Sequence, residues 1–525
     1  MLRARPLSTL PRSSLRLSRP LILRHVSNKS KTSTTPDFSK SPGVIEESLI
    51  QHTLFTVDYF KRFLKYTAVG LVAVGLTTWT AFEGAHFWVE LKELVPETDP
   101  EARQWEWNKE AERWTGGPSG GTDPGLGFFG RNAVRSAWMS LNWGTGSTSS
   151  VINSQTSSGR GDGSGSLNVV ESRLEFAQAF LNVALGYALQ KSESGKLRPE
   201  TLLELLQRRA SVMELMGSRD NLFESRREME RVWSMLPGNG IDAARAALKL
   251  GDLNQRLGDR DDALAWWSRA IQLVQTKDSK ISVEIPPSVP GTPPISPLGQ
   301  RTLISTLVSL SAFYATTGQL RQARDVQEAS LNLLRSLPQP SSFETTSPAH
   351  ALHAMYILHR SSLLSIHHAE VLYALRSKPN TSIEWLIRAA ESSERVAFTL
   401  TGLPLTHPDA PGTRIPHPPS SETPLLETYA KSVSMKKPAR HLLRDSRRTA
   451  AEAWNLLGVL AESSSAPGST EKALQYYERA LGWAGVSGDR AGGIGKAGEG
   501  TLEAEWKTLW NNYVRTRDAV KKVSE

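Results

Sequence analysis

Apolar positions recur with helical spacing almost without interruption from Val169 to the C-terminus. Leu174, Ala177, Leu181, Ala184, Leu185 and Ala188 fall on one face, and Leu202, Leu205, Leu206 and Met213 on the next. Pro199, near the start of the second helix, suits a first turn where its missing N–H removes no bond. A third helix, Asn221–Leu236, stops before Pro237-Gly238-Asn239-Gly240. No segment alternates with period two for long enough to argue a sheet, so the pattern predicts an all-α chain.

Within this run, particular positions hold small residues. Ala263, Trp267 and Ala270 stand at i, i+4 and i+7, preceded by Leu250-Gly251 and Gly258. The arrangement returns as Trp454, Leu457-Gly458, Ala473, Tyr477 and Ala480. Small residues are needed where two helices approach closely, and a large aromatic fills the adjoining gap. Both segments resemble the tetratricopeptide (TPR) repeat, in which paired helices stack into an array. A further unit runs through Leu307, Leu310, Tyr314, Gly318 and Ala323, with Gln327 and Ser330 at less typical positions. Ala351–Leu375 and Ser382–Leu400 look like a degenerate pair. Thr501–Lys522, with Leu502, Trp506, Leu509 and Tyr513 on one face, reads as a capping helix. The resemblance implies an all-α, TPR-like helical-hairpin superhelix over residues 169–525. Pro/Gly-rich insertions interrupt it near 277–299, 402–424 and 482–500.

The other end of the chain reads as an address. Residues 1–36 carry no acidic residue, and Arg3, Arg5, Arg12, Arg16, Arg19 and Arg24 are spread among leucines and serines. That is the composition of a mitochondrial transit peptide, assigned to residues 1–26. Its loss removes six arginines and no acids, which takes the formal charge from +9 to about +3. The basic balance therefore belongs largely to the presequence, and no nucleic-acid partner is expected. The absence of cysteine excludes disulfides and thiolate metal sites.

Tyr66–Phe82 is a charge-free run of 17 residues, about 25 Å as a helix and just enough to cross a bilayer. No proline occurs between Pro42 and Pro96, so one helix is expected from about Val44 to Val95. Lys61, Arg62 and Lys65 precede the span, whereas Lys92 follows it beside Glu83, Glu90 and Glu93. The charge bias puts residues 27–65 in the matrix and everything after the span in the intermembrane space. This gives one N-terminal transmembrane helix at 66–82, tethering the repeats to the mitochondrial inner membrane.

Between span and repeats, residues 83–143 are rich in Trp and Gly, and 144–168 read as a Gly/Ser-rich linker. Trp105, Trp107, Trp114, Trp138 and Trp143 make up five of the chain's 15 tryptophans. They need a core or a headgroup layer. Packing on the first helices of the repeats, docking on the membrane surface and contact with another subunit all satisfy that need. Ala133–Leu141 reads as one short helix.

Chemistry-bearing motifs are weak. Gly125, Gly127 and Gly130 match G-x-G-x-x-G without a preceding strand, and Gly117–Gly121 matches G-x-S-x-G with no apolar strand leading in. His350, His353, His359, His367 and His368 share a helix but contain no i, i+4 pair, and His367-x-x-Glu370 lacks companion ligands. No catalytic residue, cofactor or metal site is expected, and the chain reads as a non-enzyme.

In TPR arrays the first helix of each pair lines a groove for another polypeptide. That register assigns Arg245, Leu248, Asp252 and Gln255 to one wall, with Glu452, Asn455 and Glu462 near the other end. Transit peptide, single span and C-terminal repeats together resemble the fungal TPR adaptor subunits of the inner-membrane i-AAA protease. The resemblance implies capture of unfolded substrates for that protease in protein quality control. A respiratory-complex assembly or stability factor has the same layout.

Overall fold

The computed structural model describes residues 43–110, 113–144, 150–152, 169–275, 287–402, 425–464, 466–484 and 506–524. Residues 1–42, with the segment expected to be a transit peptide, lie outside the described residues, as do most of the Gly/Ser-rich linker and of the insertions. The chain divides into two units, residues 1–80 and 81–525.

Helix α1 (Gly43–Trp88) is 46 residues long and passes into a π-helical turn at Val89–Glu93. It is long and apolar enough to cross a membrane, and the side chains of 66–82 are exposed. Within the second unit, Glu83 accepts from Asn132 Nδ2 at 3.1 Å, and His86 meets the Ser136 hydroxyl at 3.1 Å. Glu90 then takes Arg135 Nε at 2.7 Å, Arg131 Nη2 at 2.9 Å and the Thr122 amide at 2.9 Å.

The second unit contains two short helices, α2 (Pro100–Gln104) and α3 (Trp107–Glu110), followed by α4 (Gly127–Trp143). Next come α5 (Ser172–Ser192), α6 (Pro199–Met216), α7 (Arg219–Met235), α8 (Ile241–Leu257) and α9 (Arg260–Gln275). They are followed by α10 (Pro297–Thr316), α11 (Leu320–Arg335), α12 (Pro348–Ala374) and α13 (Pro379–Thr401). The chain closes with α14 (Glu427–Ala430), α15 (Lys436–Glu462), α16 (Ser469–Ala484) and α17 (Trp506–Ser524). Helices pair as α4/α5, α6/α7, α8/α9, α10/α11, α12/α13 and α15/α16, and α17 packs on α16. Successive hairpins also touch through their first helices, α8 on α10, α10 on α12 and α12 on α15. This is an all-helical, repeat-like array with TPR-type hairpins.

The small residues of the sequence pattern sit at helix crossings. A Cβ built on Gly251 would lie 2.5 Å from the Trp267 ring, and one on Gly458 2.4 Å from the Tyr477 ring. Ala263, Ala270, Ala473 and Ala480 are fully buried beside them. At the atypical unit, Gln327 is also buried. Its amide donates to Ser311 Oγ at 3.0 Å and its carbonyl meets His368 Nδ1 at 3.2 Å, so a polar network replaces the usual apolar contact.

Two differences from the sequence reading concern the hairpins' N-terminal edge. The short helix over Ala133–Leu141 extends to Gly127–Trp143 and forms the first helix of a further hairpin with α5. The Trp/Gly-rich stretch thus belongs to the array. The described residues also hold one antiparallel strand pair, β1 (Ser150–Ile152) and β2 (Val169–Glu171), with Val151 opposite Val170. Three residues per strand are too few to give a period-two signal.

Candidate functional site

The wall built by the first helices is not bare. Residues 97–110 and 113–123 of the same chain run along it, from the approach to α15, past α12, α10 and α8, to α6.

Glu97 starts this path. Its carboxylate accepts from Ser434 Oγ at 2.6 Å and Ser434 N at 3.0 Å, immediately before α15. Burial favours the protonated form, but the hydrogen bonds from Ser434 and from the Asp99 and Thr98 amides outweigh it and hold the pKa below the ordinary value. Trp105 stacks on His350 with ring centroids 4.1 Å apart, and its carbonyl accepts from both terminal nitrogens of Arg301 at 3.2 Å.

Trp107 is the deepest anchor, 1% exposed among Leu352, Met355, Val396, Leu400 and Met435. Its indole Nε1 donates to the Ala349 carbonyl at 2.9 Å, and the Arg301 guanidinium lies 3.9 Å from its ring centroid. Between the two tryptophans, Glu106 adopts φ 57°, a left-handed conformation that L-residues avoid. Its carboxylate accepts from the Leu298 amide at 3.0 Å and from Ser296 Oγ, capping the start of α10. Arg301, itself 2% exposed, pairs through Nε with Glu110 at 2.5 Å.

Farther along, Arg245 Nη1 of α8 donates to the Lys109 carbonyl at 3.0 Å. On α6, Arg208 donates to the Arg113 carbonyl at 3.3 Å and covers the Trp114 ring at 4.8 Å. Asp123 accepts from Thr201 Oγ1 at 2.5 Å and the Arg198 amide at 3.0 Å. Arginines and serines of the wall thus read main-chain carbonyls and carboxylates, while aromatic anchors supply apolar contact. That combination recognises a polypeptide.

The residues assigned to the groove from sequence are distributed differently. Arg245 is on the wall and holds the segment. Leu248 packs between two core clusters, and Gln255 is half-buried. Asp252 accepts from Trp267 Nε1 at 3.1 Å and turns toward the second helix of its own hairpin. Burial pushes its carboxyl pKa up, against hydrogen bonds from Ser309 and Trp267. At the far end Asn455 accepts from Asn512 at 3.0 Å, and Glu462 accepts from Tyr477 at 2.9 Å, Arg515 at 2.6 Å and Thr516 at 2.5 Å. These two residues fasten the capping helix α17. Glu452 is exposed and faces toward Glu370 of α12, whose pKa is raised by burial and by the Glu452 charge.

Sequence reasoning missed Arg301, Glu97, Glu106 and Glu110. The available signal was Arg301, a lone arginine in the otherwise apolar and hydroxylated first half of α10. The five tryptophans were expected to need a core or a headgroup layer. Trp114 and Trp138 pack with α5 and α6, but Trp105 and Trp107 reach α12, and Trp143 remains 47% exposed.

The histidines of α12 serve structure: His353 meets Arg301 and Gln300 at 3.0 Å, and His359 meets Thr449 at 3.0 Å. Among the described residues no cluster of three His, Asp or Glu side chains is arranged to hold a metal.

No family model matches the chain, and no curated protein matches it. Among solved structures it is similar to a circular tandem repeat protein with novel repeat topology and enhanced subunit contact surfaces. The identity is 15%, over 68% of this chain and 76% of that one, with a TM-score of 0.16. At that TM-score the match adds nothing to the fold read from the helices.

Proposed function

We propose that the chain is a non-enzymatic, membrane-tethered protein-binding adaptor. In this reading residues 66–82 cross the mitochondrial inner membrane and the hairpin array stands in the intermembrane space. There it recruits substrates to the i-AAA protease for protein quality control. What supports a binding role is the first-helix wall, which engages an extended stretch of polypeptide through arginines, hydroxyls and aromatic pockets. The arginine-rich, acid-free N-terminus and the charge bias around α1 support the location.

The test is cross-linking in intact mitochondria followed by mass spectrometry, with a C-terminal tag for purification. A AAA protease and short-lived inner-membrane proteins should be recovered with the chain. The tag should resist added protease until the outer membrane is ruptured. Recovery of respiratory subunits without a protease would replace this reading with an assembly factor of the same layout.

A further inference from the structure

The segment on the first-helix wall is held by the wall rather than by its own preferences. Helix α2 has five residues and α3 four, both too short to persist alone. Glu106, between the two aromatic anchors, is fixed in the left-handed region with no glycine to ease it. Such a backbone persists only where its surroundings over-determine it.

The fit is also incomplete. Arg301 Nε and Glu110 Oε2 lie 2.5 Å apart but lack the alignment of a hydrogen bond. Asn108 Oδ1 and Arg360 Nε are buried without a hydrogen-bond partner among the described residues. Beside Trp105 a mixed cleft of about 230 Å³ lies open between Ile295, Leu337 and Ile357 on one hand and Gln300, Gln339 and His353 on the other, with Ile295 itself 95% exposed. A buried polar group without a partner and an unfilled cleft each leave binding energy unused.

We propose that residues 97–110 are an exchangeable occupant of this wall. Its external partner is an acidic polypeptide segment with two aromatic residues flanking one carboxylate and a second carboxylate one helical turn on. The chemistry follows from what the wall reads. Arg301 takes a main-chain carbonyl, an aromatic face and a carboxylate at once. Ser296 and the Leu298 amide take the central carboxylate, and the Ala349 carbonyl takes an indole N–H. A partner whose residues also fill the cleft gains contacts that the tethered segment lacks. Tethering gives residues 97–110 a local concentration in the millimolar range, so weak ligands are excluded and the wall is gated. The inference rests on the protein-binding reading of the wall.

The experiment uses the full chain in detergent and a fluorescent peptide with the sequence of residues 97–110. Trp105→Ala weakens the tethered copy while Trp107 keeps it in place. This variant should bind the peptide at least tenfold more tightly than the parent, and adding Arg301→Met should abolish the gain. A Trp105→Ala protein with parental helical content and no tighter binding overturns the proposal. In the unaltered parent, hydrogen exchange is followed with and without millimolar peptide. Residues 97–110 should lose amide protection while α10 and α12 keep theirs, and a peptide lacking both tryptophans should have no effect. Unchanged protection of residues 97–110 overturns the proposal without recourse to a variant. Failure here leaves partner capture in mitochondria standing. An absence of cross-linked partners with peptide exchange intact would instead remove the adaptor reading alone.

Discussion

The indole nitrogen of Trp107 donates to the main-chain carbonyl of Ala349 at 2.9 Å, across 242 residues of sequence. This bond joins the stretch that follows α1 to the N-terminal turn of α12. Its strength comes from burial: the ring is 1% exposed and covered by Arg301.

Trp107→Ala should lower stability by about 3–5 kcal/mol, since the cavity left in a packed core collapses only in part. Trp107→Phe keeps an aromatic ring under Arg301 but gives up the indole hydrogen bond to the Ala349 carbonyl and part of the ring volume, for a loss nearer 1–3 kcal/mol. Thermal melting of the two variants checks the order. Equal melting temperatures for both and the parent would show that the segment does not stay docked.

Gly251→Ala and Gly458→Ala should destabilise, although alanine ordinarily favours a helix interior by about 1 kcal/mol over glycine. The added Cβ would meet the Trp267 or Tyr477 ring at 2.5 or 2.4 Å, and both rings are fully buried. Overpacking of that kind costs about 1–3 kcal/mol, which outweighs the propensity gain. A rise in melting temperature would mean that the helix register is wrong.

Glu394 of α13 gathers the last hairpin. It accepts from Trp454 Nε1 at 2.7 Å and Trp483 Nε1 at 2.6 Å, and it takes Arg479 Nε at 2.7 Å and Nη2 at 2.5 Å. Glu394→Ala leaves a largely buried arginine and two indole donors without their acceptor. A loss of about 3–5 kcal/mol is expected, with α15–α17 releasing first. Hydrogen exchange across α8–α17 would show whether the loss begins there, and uniform loss across the array would refute the local role.

Stability should fall as the pH drops below about 6.5. Burial pushes the pKa of His353 and His359 down to about 3, in each case helped by a neighbouring arginine, and that of His367 down to about 4. The unfolded chain takes up these protons near the ordinary histidine value of 6.5. Between those limits it binds more protons than the native state, so stability rises with pH through the window and is lost on acidification. At pH 5 each group amounts to roughly 2 kcal/mol. His359→Gln should flatten the dependence of melting temperature on pH between 6.5 and 5. A parent curve already flat over that range would show that these histidines titrate normally.

Much of the array was legible in the sequence. Helix periodicity found the helices of the array from α5 onward, because each must bury one continuous face. It took α10 only from Leu307 and α15 only from Trp454, whereas they begin at Pro297 and Lys436. Ala263, Gly251 and Trp267 announced their crossing because close approach of two helices tolerates only one small-against-large arrangement there. The charge-free run was equally plain. Glu83, one residue beyond it, accepts from Asn132.

The site was less legible. Arg245 was placed on the wall by register alone, and the structure brings it to Lys109. Asp252, from the same helix face, turns instead to Trp267, and Asn455 and Glu462 are taken by α17. Periodicity gives the direction of a side chain from its own helix. It carries no information on which distant segment arrives to meet it.

By itself, then, the sequence determined the helices, their pairing into hairpins and the apolar stretch of α1, all of which follow from local spacing and composition. Only the tertiary structure decided that residues 97–110 and 113–123 lie along the first-helix wall. The contacts that hold them, Trp107 to Ala349, Glu110 to Arg301 and Glu97 to Ser434, join residues too far apart in sequence for any periodicity to register. Each depends on the summed rotation and rise of several stacked hairpins, which brings a carbonyl, a guanidinium and a serine to one side.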